Sequence, residues 1–369
     1  MNPLKQLQEQ GQSIWLDYIQ RSLITGGGLK RLIEEDGLRG VTSNPTIFDK
    51  AIAEHNDYDD ALRALLRQDP QMPAKQLFDR LEIEDIGMAA DVLRPVYDQT
   101  KGGDGFVSIE VPADIAHDAH ASIKEAGRLW STLGRPNVLI KIPATHEGVH
   151  AVEELIAEGI NVNITLMFSL EHYEAIAAAY IRGLRRTPKP EQVASVASFF
   201  VSRVDTLLDK KLEAMGTPEA LALRGKIGIA NCKRVYGRFQ EIFLGREFEE
   251  FRRRGARVQR PLWASTSTKN PAYRDVLYVE ELIGKHTINT LPPQTMDDFR
   301  DHGRVQPTLE AGEQEAEAQL ARLAALGIDL HEVGEQLSVE GVEAFDKSMK
   351  ALLESLEKKR AALLGKMVA

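Results

Sequence analysis

The chain has 369 residues, a formal net charge of −9 at pH 7 and one cysteine. The acidic balance argues against broad binding to nucleic acid or to anionic membranes, and a lone cysteine, Cys232, excludes an internal disulfide framework. Hydrophobic residues at 43% and charged residues at 27% are ordinary for a soluble globular protein with a large core. No apolar run approaches membrane-spanning length, and the first residues lack a signal peptide's hydrophobic segment. We therefore expect a cytoplasmic protein whose partner is a small molecule.

The N-terminal segment predicts a lead-in helix followed by a strand that ends in a carboxylate. Residues 3–10 form the predicted helix, and residues 13–17 are a short apolar run typical of a strand. Side chains alternate along a strand, so Trp15 and Asp17 are expected on one face. The glycines at 26–28 lack the spacing of a dinucleotide-binding loop, and we interpret them as a turn.

A second polar strand end follows at residues 40–48. This segment predicts a strand in which Thr42 and Asn44 share a face before Pro45 stops it. Residues 49–100 are rich in helix-forming residues and show no clear strand pattern, so they predict a helical excursion over the outside of the fold.

The next two strands carry a glutamate and a lysine. Residues 105–112 alternate cleanly and place Glu110 on the polar face, and a helix is predicted for residues 113–133. In the run Asn137-Val-Leu-Ile-Lys-Ile-Pro-Ala-Thr145, Lys141 projects from an apolar, β-branched strand. Burial disfavours the charged form of an amine, and a neutral amine attacks carbonyl carbons. A strand-end lysine can also extend to solvent or pair with a carboxylate, and this stretch alone leaves both interpretations open.

Four further strands repeat the pattern of one apolar and one polar face. They are predicted at residues 160–166, 193–203, 261–267 and 287–292, and their polar faces carry Asn161, Asn163, Thr165, Ser198, Ser265 and Ser267. In the third of these strands, Trp263 is expected to share a face with the two serines. Near the C-terminus, apolar residues recur at helical spacing between Val342 and Leu356, which predicts a helix that either caps the fold or mediates a dimer.

Eight strands separated by helices predict a parallel sheet that closes into a single (β/α)8 barrel. We expect one domain over residues 1–369, with a lead-in helix and C-terminal helices at about 309–364. Strands of such a barrel are buried on both faces and are normally hydrophobic throughout. Here nearly every strand carries a polar side chain close to its C-terminal end, where barrel enzymes assemble their sites. A separate structural role would be needed for each of these polar side chains, whereas one catalytic site explains all of them. The pattern therefore favours catalysis.

Two motifs resemble signatures of the transaldolase family. Gly40-Val-Thr-Ser-Asn-Pro-Thr-Ile-Phe48 is similar to its first signature, and Val138-Leu-Ile-Lys-Ile-Pro-Ala-Thr145 is similar to its Schiff-base lysine signature. Trp263-Ala-Ser-Thr-Ser-Thr-Lys-Asn-Pro271 and Gly341-Val-Glu-Ala-Phe345 resemble the longer bacterial subgroup. The resemblance covers most of the chain. It implies a class I aldolase barrel that moves a dihydroxyacetone unit between sugar phosphates without a cofactor or a metal.

The resemblance also implies roles for individual residues. Lys141 would form the Schiff base with the donor ketone, and Asp17 would exchange a proton with the C4 hydroxyl as the carbon–carbon bond breaks or forms. Glu110 and Thr165 would hold the water that shuttles protons. The remaining roles are binding ones: the three-carbon fragment would contact Asn44, Asn163 and Ser198, and the phosphate would contact Arg203 and Ser265.

One position departs from the family pattern. Many members place an arginine shortly after the serine that matches Ser265, whereas this chain reads Ser267-Thr268-Lys269. Lys269 is therefore a candidate for the missing positive charge, and Arg203 is the stronger phosphate ligand. An ion pair at the surface or at a helix end is the structural alternative for Arg203.

Two rival functions remain open on the sequence. The shorter fructose 6-phosphate aldolases typically carry glutamine at the position of Glu110 and tyrosine at the position of Phe200, so both residues favour a transaldolase. Phe200 is also expected among the substrate-binding residues. The segment His146-Glu-Gly-Val-His150 fits the H-E-x-x-H pattern of zinc hydrolases. It directly follows a strand end, contains a helix-weakening glycine and lacks an evident third ligand, so we expect a helix N-terminus there.

For the assembly of the protein, a monomer or a homodimer is expected.

Overall fold

Eight parallel strands close into a barrel in which each strand pairs with the next in the chain and the last pairs with the first. The strands are β1 (Gln12–Asp17), β2 (Gly40–Thr42), β3 (Phe106–Glu110), β4 (Val138–Pro143), β5 (Val162–Met167), β6 (Ser195–Phe200), β7 (Arg260–Ala264) and β8 (Thr287–Leu291). This computed structural model describes residues 2–368, apart from the side chains of residues 53, 54, 367 and 368. The predicted (β/α)8 barrel is confirmed.

Helices connect the strands and cover the outside of the barrel. They are α1 (Pro3–Glu9), α2 (Arg21–Thr25), α3 (Gly28–Arg31), α4 (Pro45–Glu54), α5 (Asp59–Gln68), α6 (Ala74–Gln99), α7 (Ala119–Leu133), α8 (His146–Ala157), α9 (Leu170–Arg186), α10 (Ser202–Met215), α11 (Pro218–Leu221), α12 (Ile227–Phe239), α13 (Glu249–Arg253), α14 (Leu277–Glu281), α15 (Pro293–His302), α16 (Glu313–Ala325) and α17 (Leu330–Val368). The predicted lead-in helix is α1, and the predicted helical excursion consists of α4, α5 and α6. Short π-helical turns cover Leu32–Asp36 and Gln240–Leu244, and 3₁₀ turns cover Ala113–Ile115, Pro190–Gln192 and Arg246–Phe248.

The strand side chains form two layers of core. Residues that point outward, such as Ile109, Ile140 and Ile164, are fully buried beneath the helices. Residues that point into the barrel near its N-terminal end, such as Trp15 and Leu139, fill the interior with apolar side chains. Polar groups therefore face inward only where the strands approach their C-terminal ends, and they converge there on one site.

Several predicted elements begin or end elsewhere. The strand predicted at residues 193–203 ends at Phe200, and Arg203 lies in α10. In two other elements a capping residue sets the boundary. Residues 40–48 are not one strand: β2 ends at Thr42, and the Asn44 side chain caps α4 by accepting a hydrogen bond from the Ile47 amide at 3.1 Å. Pro45 fits the first helical position because it has no amide hydrogen to leave unpaired. Residues 113–133 are not one helix, since Asp118 caps α7, which begins at Ala119.

The predicted face of Trp263 is also wrong. Its ring packs outward, 6.5 Å from the ring centre of Phe199, among residues beneath the helices. Strand β7 ends at Ala264, and Ser265 adopts a positive φ of 56°. This left-handed residue breaks the alternation of side chains, so Ser265 reaches the barrel mouth although Trp263 faces away from it.

Helix α17 crosses the mouth of the barrel. Gly341 lies so close to Leu166 that an added Cβ would be 2.8 Å from the Leu166 Cδ2 atom. The Phe345 ring centre lies 5.7 Å from Lys141 Nζ and 5.8 Å from Arg203 Cζ. Of the two predicted uses of this C-terminal segment, the structure shows that it caps the barrel.

Candidate active site

Lys141 and Glu110 are direct neighbours on adjacent strands, since the register of β3 and β4 pairs their Cα positions. Lys141 Nζ donates to Glu110 Oε2 and to the Ser43 carbonyl oxygen, both at 3.1 Å. The two residues are only 5% and 9% exposed. A buried amine held beside a carboxyl group can exchange a proton with it directly, which is what a nucleophilic lysine requires.

Burial raises the pKa of both carboxyl groups near this amine. Desolvation raises the pKa of Glu110, against the opposing effect of the Lys141 charge and hydrogen bond. Desolvation also raises the pKa of Asp17, while the charge of Lys141 and a hydrogen bond from Thr42 oppose it. Raised carboxyl pKa values are typical of groups that both accept and return a proton.

Asp17 ends a chain of hydroxyl groups. Thr42 Oγ1 donates to Asp17 Oδ1 at 2.7 Å, and Thr42 Oγ1 also lies 2.7 Å from Thr290 Oγ1. Because Thr42 has one hydroxyl hydrogen and gives it to the carboxylate, Thr290 must donate to Thr42. This chain fixes the orientation of the Asp17 carboxylate at the barrel mouth.

The barrel mouth contains a cavity of about 150 Å³; we call it the mouth cavity. It brings together nine of the eleven predicted site residues: Asp17, Asn44, Lys141, Thr165, Ser198, Phe200, Arg203, Ser265 and Lys269. The other two, Glu110 and Asn163, are buried behind this first layer. The polar strand ends therefore lie together at the C-terminal end of the barrel.

Asn163 organises its neighbours from below the cavity. Its Nδ2 donates to Ser108 Oγ at 2.9 Å, and its Oδ1 accepts from Ser198 Oγ at 2.6 Å. Thr165 differs, because its buried Oγ1 has no hydrogen-bond partner within the described residues. A buried hydroxyl without a protein partner at a cavity wall can bind a water molecule or a ligand.

Arg203 lies between two aromatic rings. Its Cζ is 5.1 Å from the Phe200 ring centre and 5.8 Å from the Phe345 ring centre. No carboxylate among the described residues lies within ion-pairing distance of it, which removes the ion-pair alternative. Desolvation lowers the pKa of its guanidinium. A stacked guanidinium without a protein carboxylate is suited to an anionic ligand.

A second positive group lies in the β7 loop. Lys269 lines the same cavity as Arg203, and its Nζ donates to Ser267 Oγ at 2.5 Å. Desolvation and the charge of Arg203 lower the pKa of Lys269. Ser265 Oγ lies 2.8 Å from Ser202 Oγ, which joins this loop to the start of α10. The position of Lys269 beside Arg203 is thus compatible with phosphate binding.

Three contributors to the site were missed at the level of sequence. Thr290 lies in the predicted strand at residues 287–292, but it belongs to no functional motif. The Ser43 carbonyl is a backbone group, which no residue pattern reveals. Phe345 showed the apolar spacing of a helix and belonged to a segment that resembles the longer bacterial subgroup, but neither signal placed it in the site. Its place over Lys141 depends on how α17 folds back over the barrel.

The H-E-x-x-H segment forms the first turn of α8, with Thr145 as its capping residue. His146 and His150 are exposed there. Among the described residues, no group of three or more histidine, cysteine, aspartate or glutamate side chains is arranged to hold a metal ion. None of the helices in the described part of the chain is long and apolar enough to cross a membrane.

Comparison with known proteins identifies the family of this chain. The sequence model of the transaldolase/fructose-6-phosphate aldolase family matches residues 14–356. A transaldolase of Thiobacillus denitrificans is 46% identical over 360 residues, which is 96% of this chain and all of that protein. Transaldolase 2 of a Nostoc species is 44% identical over 374 residues, 97% of this chain and 98% of the relative. A Mycobacterium marinum transaldolase is 43% identical over 369 residues, 98% of each chain. The chain belongs to the transaldolase/fructose-6-phosphate aldolase family.

Proposed function

We propose that this chain is a transaldolase of the pentose phosphate pathway. It transfers a dihydroxyacetone unit from sedoheptulose 7-phosphate or fructose 6-phosphate to glyceraldehyde 3-phosphate or erythrose 4-phosphate through a Schiff base on Lys141. The observation that carries this proposal is the buried contact between Lys141 Nζ and Glu110 Oε2 at the base of a cavity that also holds Arg203 and Lys269.

The first step joins the donor ketone to the lysine. Lys141 gives a proton to Glu110, and the neutral amine then attacks the carbonyl carbon to form a carbinolamine. Glu110 returns the proton to the carbinolamine hydroxyl, which leaves as water while the nitrogen lone pair completes the iminium. The positive charge of the ammonium thereby becomes that of the iminium, and Glu110 ends as it began. Thr165, with its unpaired hydroxyl, binds the water beside this centre.

The second step breaks the carbon–carbon bond. Asp17 takes the proton of the C4 hydroxyl, the electrons of the C3–C4 bond flow into the iminium, and the aldose phosphate leaves. The hydroxyl chain through Thr42 and Thr290 holds the Asp17 carboxylate in place. Asn44 and Ser198 on the cavity wall, with Asn163 behind Ser198, hold the three-carbon fragment until the acceptor arrives.

Arg203 and Lys269 bind the phosphate, and Ser265 adds a hydroxyl donor beside them. The position of both cations in one cavity supports this assignment. Phe200 forms the apolar wall against which Arg203 stacks.

The same proposal covers the organisation of the protein. We infer one barrel domain over residues 1–369, because helix α17 contributes Phe345 to the mouth cavity. We infer a monomer or a homodimer. A buried free thiol, Cys232, supports a reducing, cytoplasmic location.

The test combines trapping with a transfer assay. Borohydride reduction in the presence of fructose 6-phosphate, followed by peptide mass mapping, is expected to leave a dihydroxyacetone-sized adduct on Lys141. Transfer to erythrose 4-phosphate is expected to persist in EDTA. Release of free dihydroxyacetone without transfer would instead identify an aldolase, and the lack of an adduct on Lys141 would refute the Schiff-base mechanism.

A further inference from the structure

A second cavity of about 530 Å³ lies on the other side of Glu110, between α6, α7 and the middle of α17. We call it the outer cavity. Its wall includes Glu82 of α6 and Glu110 of β3. Glu110 therefore separates two spaces: its Oε2 contacts Lys141, which lines the mouth cavity, and the residue also lines the outer cavity.

The outer cavity reaches solvent at a charged rim. Lys75 and Asp114 lie there 3.7 Å apart, and Asp346 and Lys350 form a second pair at 2.5 Å. The two lysines and Asp114 are exposed. Small polar molecules can pass such a rim without entering the barrel mouth.

Glu82 is the unusual side chain of this cavity. It is 9% exposed, yet it makes no hydrogen bond or ion pair with any residue that the structure describes. Arg128, the one arginine in the cavity wall, is engaged by Asp79 at 2.5 Å and by Glu125 at 2.7 Å. Desolvation, together with the charges of Asp79 and Glu110, raises the pKa of Glu82 well above its ordinary value, against the opposing charge of Arg128. A buried carboxyl group that lines a cavity of this size and has no hydrogen-bond partner in the protein is a binding site for water.

The proposed reaction needs such a place. Each iminium formed on Lys141 releases one water molecule beside Glu110, and each hydrolysis of the iminium consumes one. At both moments a sugar phosphate or its fragment occupies the mouth cavity, on the Lys141 side of Glu110. The outer cavity reaches Glu110 from the side that the substrate does not occupy, so it offers water a route separate from the mouth cavity.

We propose that the outer cavity receives the water released at iminium formation and supplies the water for hydrolysis, with Glu82 holding that water opposite Glu110. This inference rests on the Schiff-base function proposed for Lys141. Glu82 acts through Glu110 and does not touch the substrate, so it is a positioning residue. No covalent step is added: one water molecule leaves at iminium formation and one enters at hydrolysis, and water in the outer cavity exchanges with solvent between the two.

Exchange of the ketone oxygen of fructose 6-phosphate with H₂¹⁸O measures this passage directly. Every cycle of iminium formation and hydrolysis replaces the C2 oxygen with one from solvent, which mass spectrometry detects. The full chain would be compared with Glu82→Leu, which removes the water partner, and with Glu82→Gln, which retains a hydrogen-bonding group of the same size. Replacing an unpaired buried carboxyl group by leucine is compatible with folding. Glu125→Gln, on the same cavity but paired with Arg128, is the matched control.

Glu82→Leu is expected to slow oxygen exchange about tenfold, the effect of losing one hydrogen bond, with an unchanged KM for fructose 6-phosphate. Glu82→Gln and Glu125→Gln are expected to stay within about twofold of the unsubstituted protein, since neither removes the water partner. Exchange at the full rate in Glu82→Leu, an equal loss in Glu82→Gln, or a raised KM in either variant would overturn the proposal. The oxygen-exchange rate measured with Lys141→Ala gives the background rate. If the unsubstituted protein does not exchange oxygen faster than this background, the proposed Schiff-base function itself is refuted.

Discussion

Glu110 and Lys141 face each other across β3 and β4, with Oε2 and Nζ 3.1 Å apart and both side chains buried. Breaking such a pair by removing one partner leaves a buried charge and is costly to stability. The pair therefore serves fold and chemistry at once, and a test of Lys141 must separate the two.

Lys141→Ala is expected to lower turnover by roughly a thousandfold or more, because the nucleophile is removed, and to abolish borohydride trapping. Lys141→Arg is the matched control, since arginine keeps the positive charge beside Glu110 but cannot form an iminium. Both variants are to be compared by steady-state transfer and by circular dichroism. Turnover near the original level in either folded variant would contradict the nucleophilic role.

Asp17→Asn is expected to separate Schiff-base formation from carbon–carbon cleavage. Loss of the proton acceptor should reduce cleavage by roughly 10²- to 10⁴-fold, while borohydride still traps the donor on Lys141. Thr42→Val, which removes the hydroxyl donor to Asp17, should produce a smaller loss of about tenfold. Equal losses of trapping and cleavage in Asp17→Asn would assign Asp17 to an earlier step.

Arg203→Met is expected to raise the KM for fructose 6-phosphate by roughly 10- to 100-fold, the effect of losing a charge-assisted contact to phosphate. Dihydroxyacetone, which has no phosphate, is the internal control. The concentration of dihydroxyacetone that gives half-maximal borohydride trapping on Lys141 should change little. A comparable loss with both ligands would show that Arg203 supports the shape of the site and not phosphate binding.

Phe345→Ala tests the cap formed by α17. Removing the ring takes away the face that lies over Lys141 and Arg203, each contact contributing about 0.5–2 kcal/mol. We expect a several-fold higher KM and faster loss of the three-carbon intermediate to water. Val339→Ala, on the same helix at a side chain that is 53% exposed, should leave both quantities unchanged. Unaltered kinetics in Phe345→Ala would mean that the cap is not needed for retention.

Asp205 predicts a pH-dependent stability that is independent of catalysis. Desolvation raises the pKa of this buried carboxyl group to about 7, and the nearby charge of Asp209 acts in the same direction. Since the folded pKa exceeds the unfolded value, the folded state loses stability as pH rises from about 4 to about 7. Asp205→Asn should therefore stabilise the protein by roughly 2–3 kcal/mol more at pH 8 than at pH 5.

Thermal unfolding at the two pH values checks this prediction. The asparagine side-chain oxygen can still accept the hydrogen bond that the Gly228 amide donates to Asp205 at 2.7 Å. Asp60→Asn is the control, because the Asp60 side chain is 98% exposed. An equal effect of Asp205→Asn at both pH values would show that Asp205 titrates normally in the folded protein.

The sequence by itself determined the barrel and the end of it that carries the site. Strand alternation is a local property of the chain, so the inward positions of Asp17, Glu110, Lys141, Thr165 and Ser198 followed from period-two spacing alone. Parallel strands all end on one side, which placed these side chains together before any contact was known. The alternation failed where the backbone conformation changed, for example at the capping Asn44 and at the left-handed Ser265.

Only the tertiary structure decided what closes the site and what lies behind it. Helix α17 follows the last strand, and its apolar spacing is compatible with any partner, so its packing against Leu166 and its delivery of Phe345 depend on the whole folded chain. Glu82 likewise sits in a long helix with no local sign of burial, and α6, α7 and α17 together remove it from water. Contacts between elements distant in sequence are set by the packing of the complete core, which no local pattern encodes.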